Sequence, residues 1–373
     1  MRCPSRKDLP IPPQKKTGWP WTEESLQLPD TMPDSSLWPK ISIVTPSYNQ
    51  GQFIEETIRS VLLQGYPNLE YLIIDGGSTD NSVEIIRKYE PWLHYWISET
   101  DEGQSDAINK GFAESSGLIL NWLNSDDYYL PDALFTVAKY YSQYSNCGGW
   151  FGGCRRIGIN GSILYKRWPK GLEYTQLANW KQNWVQQPSC FFSKSGFESV
   201  GPLDTSLYIA FDFDFWLKLS RFSKIRKIDE ELAVALNHNQ AKTVSNKNLM
   251  IAETWVVMIK HGFEQIAITE MNKRLKSLTI AENNLSLYGY ENINKQLNQA
   301  QEQLDRLRDE TLFSSSVYRS SNHMETAYKA YQKRDWHTLR RNLWQAAIND
   351  PSWIFNRGYL SMIAQTIHLK KRS

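Results

Sequence analysis

The sequence predicts an α/β fold, a mostly parallel sheet flanked by helices, followed by a C-terminal α-helical region. From residue 41 onward, short apolar runs alternate with stretches whose apolar residues recur at helical spacing. Strands alternating with amphipathic helices build parallel sheets covered on both faces. Polar clusters also follow the apolar runs, at the carboxyl ends where open α/β sheets bind ligands.

The elements follow in order. Residues 1–38, rich in Pro, Lys and Ser, read as an extended arm. Trp19-Pro20-Trp21 is expected to anchor it, because indoles left in water forgo apolar burial. Ile41 to Val44 is the first strand, Tyr48-Asn49-Gln50-Gly51 turns the chain, and Ile54, Ile58, Val61 and Leu62 mark the first helix. Tyr71 to Ile74 is the second strand, followed by a helix carrying Val83, Ile85, Ile86 and Tyr89. Leu93 to Ile97 and Leu118 to Leu123 are the third and fourth strands, with a helix over Ala107 to Phe112 between them. Pro131 is suited to the first turn of the next helix. Gly158 to Ile163 reads as a hairpin turn without chemistry.

Composition sets bounds. The chain has 373 residues, 41% hydrophobic and 22% charged, which is ordinary for a globular protein. A net charge of +2 gives no reason to expect nucleic acid as a partner. No apolar stretch is long enough to span a membrane. The first residues lack the apolar core of a secretory signal, and the four cysteines have neither CxxC spacing nor nearby histidines. These features lead to the expectation of a cytoplasmic protein with reduced thiols and no zinc.

Four polar clusters close the strands: Ser47-Tyr48-Asn49, Asp75-Gly76-Gly77, Ser98 to Asp101, and Asn124-Ser125-Asp126-Asp127. Each alone is turn composition. Together they suggest one site. The adjacent Asp126 and Asp127 repel each other unless a cation relieves them. Hard carboxylate ligands with open positions suit Mg²⁺ or Mn²⁺, completed by water and substrate phosphates. Downstream, Asp212 and Asp214 lie among aromatics in AFDFDFWLKL. Burial there would raise a carboxylate's pKa and make it a better base. Alternatively, one of the two, Asp214 ahead of Asp212, caps a helix starting near Phe213.

The motifs TPSYNQ (45–50), IIDGGSTDNS (73–82), ISETDEGQSDAINKG (97–111) and LNSDD (123–127) strongly resemble those of family-2 glycosyltransferases of the GT-A fold, over about residues 38–245. The resemblance implies a nucleotide-sugar donor, a divalent cation and inversion at the anomeric carbon. It implies that Pro46 and Tyr48 pack against the nucleobase, and that Asp75, Asp106, Asn109, Ser125 and Asp127 face the donor. Many relatives carry a second Asp where this chain has Gly76, so Asp75 or Asp106 is expected to supply the carboxylate-to-base contact. Some relatives carry Arg in place of Ile108, a phosphate contact absent at that position here. The LNSDD segment matches the metal-binding DXD region, with Asn124 in its first position, so Asp126 is assigned the metal and Asp127 assists. Asp212 matches the catalytic base and Asp214 is the second candidate. His238 matches a residue that serves as a further metal ligand or hydrogen-bond donor, and Lys242 could meet phosphate.

Trp122 and Trp216 read as core, while Trp180 and Trp184 are candidates for stacking an acceptor sugar. The expected organisation is an arm (1–38), a GT-A domain (39–245) and a helical extension (246–373). In that extension Ile293, Leu297, Ala300, Leu304 and Leu307 form a short heptad seam, and residues 324–353 resemble one tetratricopeptide-type helix pair. The expected partners are a UDP-, GDP- or dTDP-sugar and a carbohydrate or lipid-linked acceptor, with peripheral membrane or protein contact through the C-terminal helices. The expected setting is polysaccharide, cell-envelope or glycolipid synthesis. The alternatives are a nucleotidyltransferase, whose Gly-rich phosphate loop TPSYNQGQF lacks, and a non-catalytic sugar-nucleotide-binding scaffold.

Overall fold

The computed structural model describes residues 1–270, 273, 326–327, 338–339 and 341–343. The heptad seam at Ile293–Leu307 and nearly all of the helix pair at 324–353 lie outside the described residues. The chain divides into two compact units, Met1–Met250 and Ile251–Ser373.

The first unit is built on one mixed sheet. Its strands are β1 (Ile41–Ser47), β2 (Leu69–Asp75), β3 (Tyr95–Ser98), β4 (Ile119–Trp122), β5 (Tyr128–Tyr129), β6 (Gly149–Gly158), β7 (Ile163–Arg167), β8 (Cys190–Ser193) and β9 (Ile225–Asn237). The helices are α1 (Ile54–Leu62), α2 (Ser82–Tyr89), α3 (Gln104–Ala113), α4 (Ala133–Gln143), α5 (Tyr174–Ala178), α6 (Lys194–Val200), α7 (Phe211–Phe222), α8 (Lys242–Ser245) and α9 (Lys247–Lys260), the last crossing the boundary between units. Spatial order is β3-β2-β1-β4-β8-β6-β9-β5, with β7 paired to β6. The stretch β3-β2-β1-β4 is wholly parallel, and β6 also runs parallel to β9. Antiparallel β8 joins the two parallel parts.

Every residue of β1, β2 and β4 is buried, which explains why these strands read as continuous apolar runs rather than alternating ones. One face packs Ile41, Ile43, Tyr71 and Ile73 against α1, α2 and α4. On the other, α3 approaches closely enough that a Cβ at Gly111 would lie 2.4 Å from a Val44 methyl. Trp122 stacks on Trp216 at 5.3 Å and touches Phe192, Phe211 and Phe215, so both tryptophans are core. Each such ring contributes about 1.5–3 kcal/mol by burial.

Three boundaries differ from the sequence reading. Leu118 is half exposed and precedes β4, and the third strand begins at Tyr95 rather than Leu93. Pro131 also lies outside α4, because Asp132 takes a left-handed conformation (φ 61°) before Ala133 starts the helix. The first residues are held to the start of β2 and the loop before it by backbone bonds: the Met1 amino group donates to Leu69 O at 2.6 Å and Cys3 N to Tyr66 O at 2.8 Å. Fully buried Arg59 on α1 donates to the carbonyls of Pro10, Pro20 and Trp21, and Trp19 Nε1 to Tyr129 O at 2.7 Å. The four cysteines are buried thiols, and burial pushes Cys3 up to about 12.

Candidate active site

The carboxyl ends of β1, β2, β3 and β4 open onto one cleft of about 690 Å³. Its floor holds Pro46, Ser47 and Tyr48 after β1, Gly76 and Gly77 after β2, Thr100 and Asp101 after β3, and Asn124 to Asp127 after β4. The loops are stitched to one another. Asn49, left-handed at φ 53°, donates its N–H to Ser78 Oγ (2.7 Å), and its side chain accepts from Thr79 N (2.8 Å). Gln50 N donates to Ser82 Oγ and Gly51 N to Asp80 Oδ2, both at 2.9 Å. Much of the polar composition after the first two strands thus holds one loop against the next.

The acidic turn after β4 is arranged differently. Asp127 accepts Leu236 N at 3.0 Å and the Asn124 amide at 3.3 Å, and Asn124 in turn accepts Gln104 Nε2 at 2.7 Å. An amide at 124 bridges these groups where a third carboxylate would add repulsion. Burial, reinforced by the charge of Asp126, pushes the Asp127 carboxyl well above the usual carboxylate range. Asp126 lines the cleft, and its Oδ2 meets His238 Nε2 at 2.8 Å. His238 is buried beneath Phe53 (ring centroids 4.5 Å apart), and its Nδ1 has no hydrogen-bond partner among the described residues. Across the cleft, Tyr208 to Asp212 lead into α7, and Asp212 lines the wall.

The family profile described as Glycosyl transferase family 2 matches residues 42–198. The chain is 34% identical over 185 residues to an uncharacterized glycosyltransferase of Mycobacterium tuberculosis (strain H37Rv), an alignment covering 48% of this chain and 68% of that protein. It belongs to glycosyltransferase family 2. It is also 33% identical over 141 residues to the putative teichuronic acid biosynthesis glycosyltransferase TuaG of Bacillus subtilis, covering 36% of this chain and 56% of TuaG. A 26% identical match to an uncharacterized glycosyltransferase of Rickettsia bellii covers 69% of this chain but only 39% of that protein. Among solved structures, S. aureus TarS 1-349 superposes with TM-score 0.50 at 15% identity, over 84% of this chain and 92% of that one. At that identity the likeness speaks for the fold, which is GT-A.

Within this family-2 glycosyltransferase, the structure brings Pro46, Tyr48, Ser125, Asp126, Asp127 and Asp212 to the cleft. His238 reaches it through its bond to Asp126. Besides His238, four expected residues are not on the cleft lining. Asp75 is buried and spends its oxygens on Ser78 N, Ser78 Oγ and Ser98 Oγ at 2.6–2.9 Å. On α3 it is Gln104 and Ala107, one turn apart, that face the cleft. Asp106 instead accepts Glu102 N and pairs with Lys110 (3.3 Å), and Asn109 exchanges hydrogen bonds with the Leu203 backbone, both at 2.9 Å. Asp214 is fully buried and paired with Lys218 at 2.6 Å. It does not cap the helix either, since α7 starts at Phe211 with Ala210 as its N-cap.

Two charged cleft residues, Asp101 and Arg156, received no individual role in the sequence reading. A Cβ on Gly76 would lie 2.7 Å from Asp101 Oδ2, so Asp101 fills with its carboxylate the space beside Gly76. The signal was present in the ETDEG cluster, but nothing in one sequence says which acid of that loop turns inward. Arg156 on β6 also lines the cleft, bonding Asn237 Oδ1 at 3.1 Å and, more weakly, Thr243 Oγ1 at 3.4 Å. Lys242 lines it too, over the Tyr208 ring at 4.1 Å. Of the two tryptophan candidates, Trp184 lines the cleft and Trp180 does not.

Proposed function

We propose that this enzyme moves a sugar from a nucleoside diphosphate donor to an acceptor hydroxyl by a single displacement that inverts the anomeric carbon. The observation that carries this reading is that Asp126 and Asp212, far apart in sequence, line one cleft. Asp212 is the general base: it takes the acceptor proton as the hydroxyl oxygen bonds to the anomeric carbon and the bond to the departing diphosphate breaks. Asp214, neutralised by Lys218, helps hold α7 in place and leaves the proton chemistry to Asp212. Pro46 and Tyr48 form the platform for the base, and Asp101 supplies the carboxylate that Gly76 lacks. Arg156 and Lys242 provide cationic charge at the diphosphate, in place of the position occupied by buried Ile108.

The residues fit a divalent cation held by few protein groups. Asp126 offers a carboxylate on the cleft, while Asp127 is committed to Leu236 N and Asn124. Among the described residues no group of three or more His, Cys, Asp or Glu is placed to hold a metal, so water and diphosphate oxygens would complete the shell. Mg²⁺ or Mn²⁺ bound there would neutralise charge developing on the leaving diphosphate. His238 fixes the Asp126 carboxylate rather than opening onto the cleft. The catalytic domain corresponds to residues 39–245, with a carbohydrate or lipid-linked acceptor. A TarS 1-349 structure in complex with UDP, superposing with TM-score 0.50, supports a nucleoside diphosphate in such a cleft.

The test is a screen of UDP-, GDP- and dTDP-sugars by thermal shift with Mn²⁺, followed by transfer assays on the donor that binds. Asp212→Asn should lower transfer by about 10²–10⁴-fold while preserving donor affinity. Full turnover by that variant would remove Asp212 as the base.

A further inference from the structure

We propose that the β6–β7 hairpin docks on an anionic lipid bilayer and holds the mouth of the cleft at the membrane surface. Between Arg155 and Leu172 the chain carries five Lys and Arg residues and no Asp or Glu. The same segment exposes aliphatic side chains: Ile159 is 71% exposed, Ile163 52% and Leu164 50%. All five residues of β7 are exposed, and among the described residues β7 pairs with β6 alone. The pairing slips from Arg156–Tyr165 to Ile157–Ile163, leaving Leu164 as the extra residue of a bulge. Such bulges are one way proteins keep an edge strand from recruiting another strand. The exposed apolar surface therefore calls for an occupant other than a further strand.

The charge pattern selects the occupant. Arg155 and Lys166 both pair with Glu231, which lies opposite Gly153 in the sheet register and so at the base of the hairpin, away from the aliphatic tip. Arg167 lies over the Tyr165 ring at 5.2 Å, a cation and an aromatic at the depth where headgroups would lie. Aliphatic residues at a tip with cations behind them match hydrocarbon overlain by anionic headgroups. A nucleic acid would use the cations and leave the aliphatic tip in water. The tip is also already ordered. Gly161 adopts φ 78°, Gly158 N donates to Ser162 O at 2.9 Å, and Asn160 Oδ1 accepts Ser162 N and Oγ at 3.1 and 2.6 Å. A rigid tip loses little conformational entropy on docking.

The hairpin continues directly from the cleft wall. Arg156 lines the cleft, its cross-strand partner is Tyr165, and the next pair outward is Ile157 with Ile163. A docked tip brings the cleft to the lipid surface, where an acceptor hydroxyl carried on a lipid is within reach. That last step rests on the glycosyl-transfer reading, whereas the membrane contact does not.

The experiment is co-sedimentation of the full chain with phosphatidylcholine vesicles, with and without phosphatidylglycerol. The wild type should sediment with the anionic vesicles and not with the neutral ones, and added salt should release it. Ile159→Ser/Ile163→Ser/Leu164→Ser should reduce partitioning at least about tenfold with an unchanged Tm. If that variant folds poorly, Arg167→Gln/Lys170→Gln tests the same contact by charge and should also lose about tenfold. Undiminished vesicle binding by the variants would overturn the proposal, as would equal binding to neutral vesicles or none to anionic ones. A wild-type oligomer that dissociates in the triple variant, without vesicle binding, would assign the face to a second copy of the chain instead. No donor or acceptor is present, so failure here leaves the transfer reading untouched.

Discussion

Two buried carboxylate sites stand at opposite ends of the same parallel strands, and they are treated in opposite ways. Glu70, near the start of β2, is 2% exposed and accepts Ser42 Oγ at 2.5 Å and Ser116 N and Oγ at 2.7 Å. Lys40 and His94 lie 3.8 and 3.5 Å away. Burial works against its ionisation, yet these donors prevail and hold the carboxyl below its ordinary value. At the other end, burial and the Asp126 charge push Asp127 above the usual range despite its two donors. The difference teaches that burial alone does not set a carboxylate's character; the donors and the neighbouring charges that meet it do. The saturated end is architecture. The undersaturated end, where the strands open onto a cleft, is where a ligand can supply what the protein withholds.

That contrast can be broken or sharpened. The largest effect is expected at the undersaturated end: Asp126→Ala should lower transfer by about 10²–10³-fold and make donor affinity insensitive to chelation of divalent ions. Near-normal turnover would show that this end holds no functional charge. Glu70→Gln should leave activity per folded molecule intact but destabilise by about 2 kcal/mol, since an amide cannot satisfy the same donors. For a unit of this size that lowers Tm by about 4–8 °C. Because the folded protein holds Glu70 below its ordinary value of 4.5, its contribution is complete above that value. It is lost as pH falls through the lowered folded value, so the Tm gap between variant and wild type should close in acid. A gap that widens in acid would contradict the saturated description. Smallest is Asp127→Asn, which removes the repulsion with Asp126 and should stabilise the ligand-free protein by about 1 kcal/mol, a rise of about 2–4 °C. A fall in Tm would mean that the Leu236 bond outweighs the repulsion.

The alternation of β1, α1, β2 and α2 was legible because buried parallel strands and amphipathic helices impose periodicities that one sequence displays. The convergence of four polar strand ends was legible for a related reason: parallel strands end on the same edge. The sequence by itself thus determined the parallel half of the sheet, the cleft edge, and the Asp126 and Asp212 positions as residues of interest.

The direction of each side chain was decided only in three dimensions. Asp75 and Asp101 are both acids of strand-end loops, yet one is absorbed by Ser78 and Ser98 while the other reaches the cleft. Asp106 and Asn109 share α3 with Gln104 and Ala107 but point elsewhere, because a helix distributes neighbours around its axis. Arg156 reaches the cleft from β6, and the β6–β7 hairpin projects its aliphatic tip into solvent. Local composition records that a polar or apolar group is needed nearby. Which group meets the ligand depends on donors contributed by distant segments, and those meet only when the sheet is assembled.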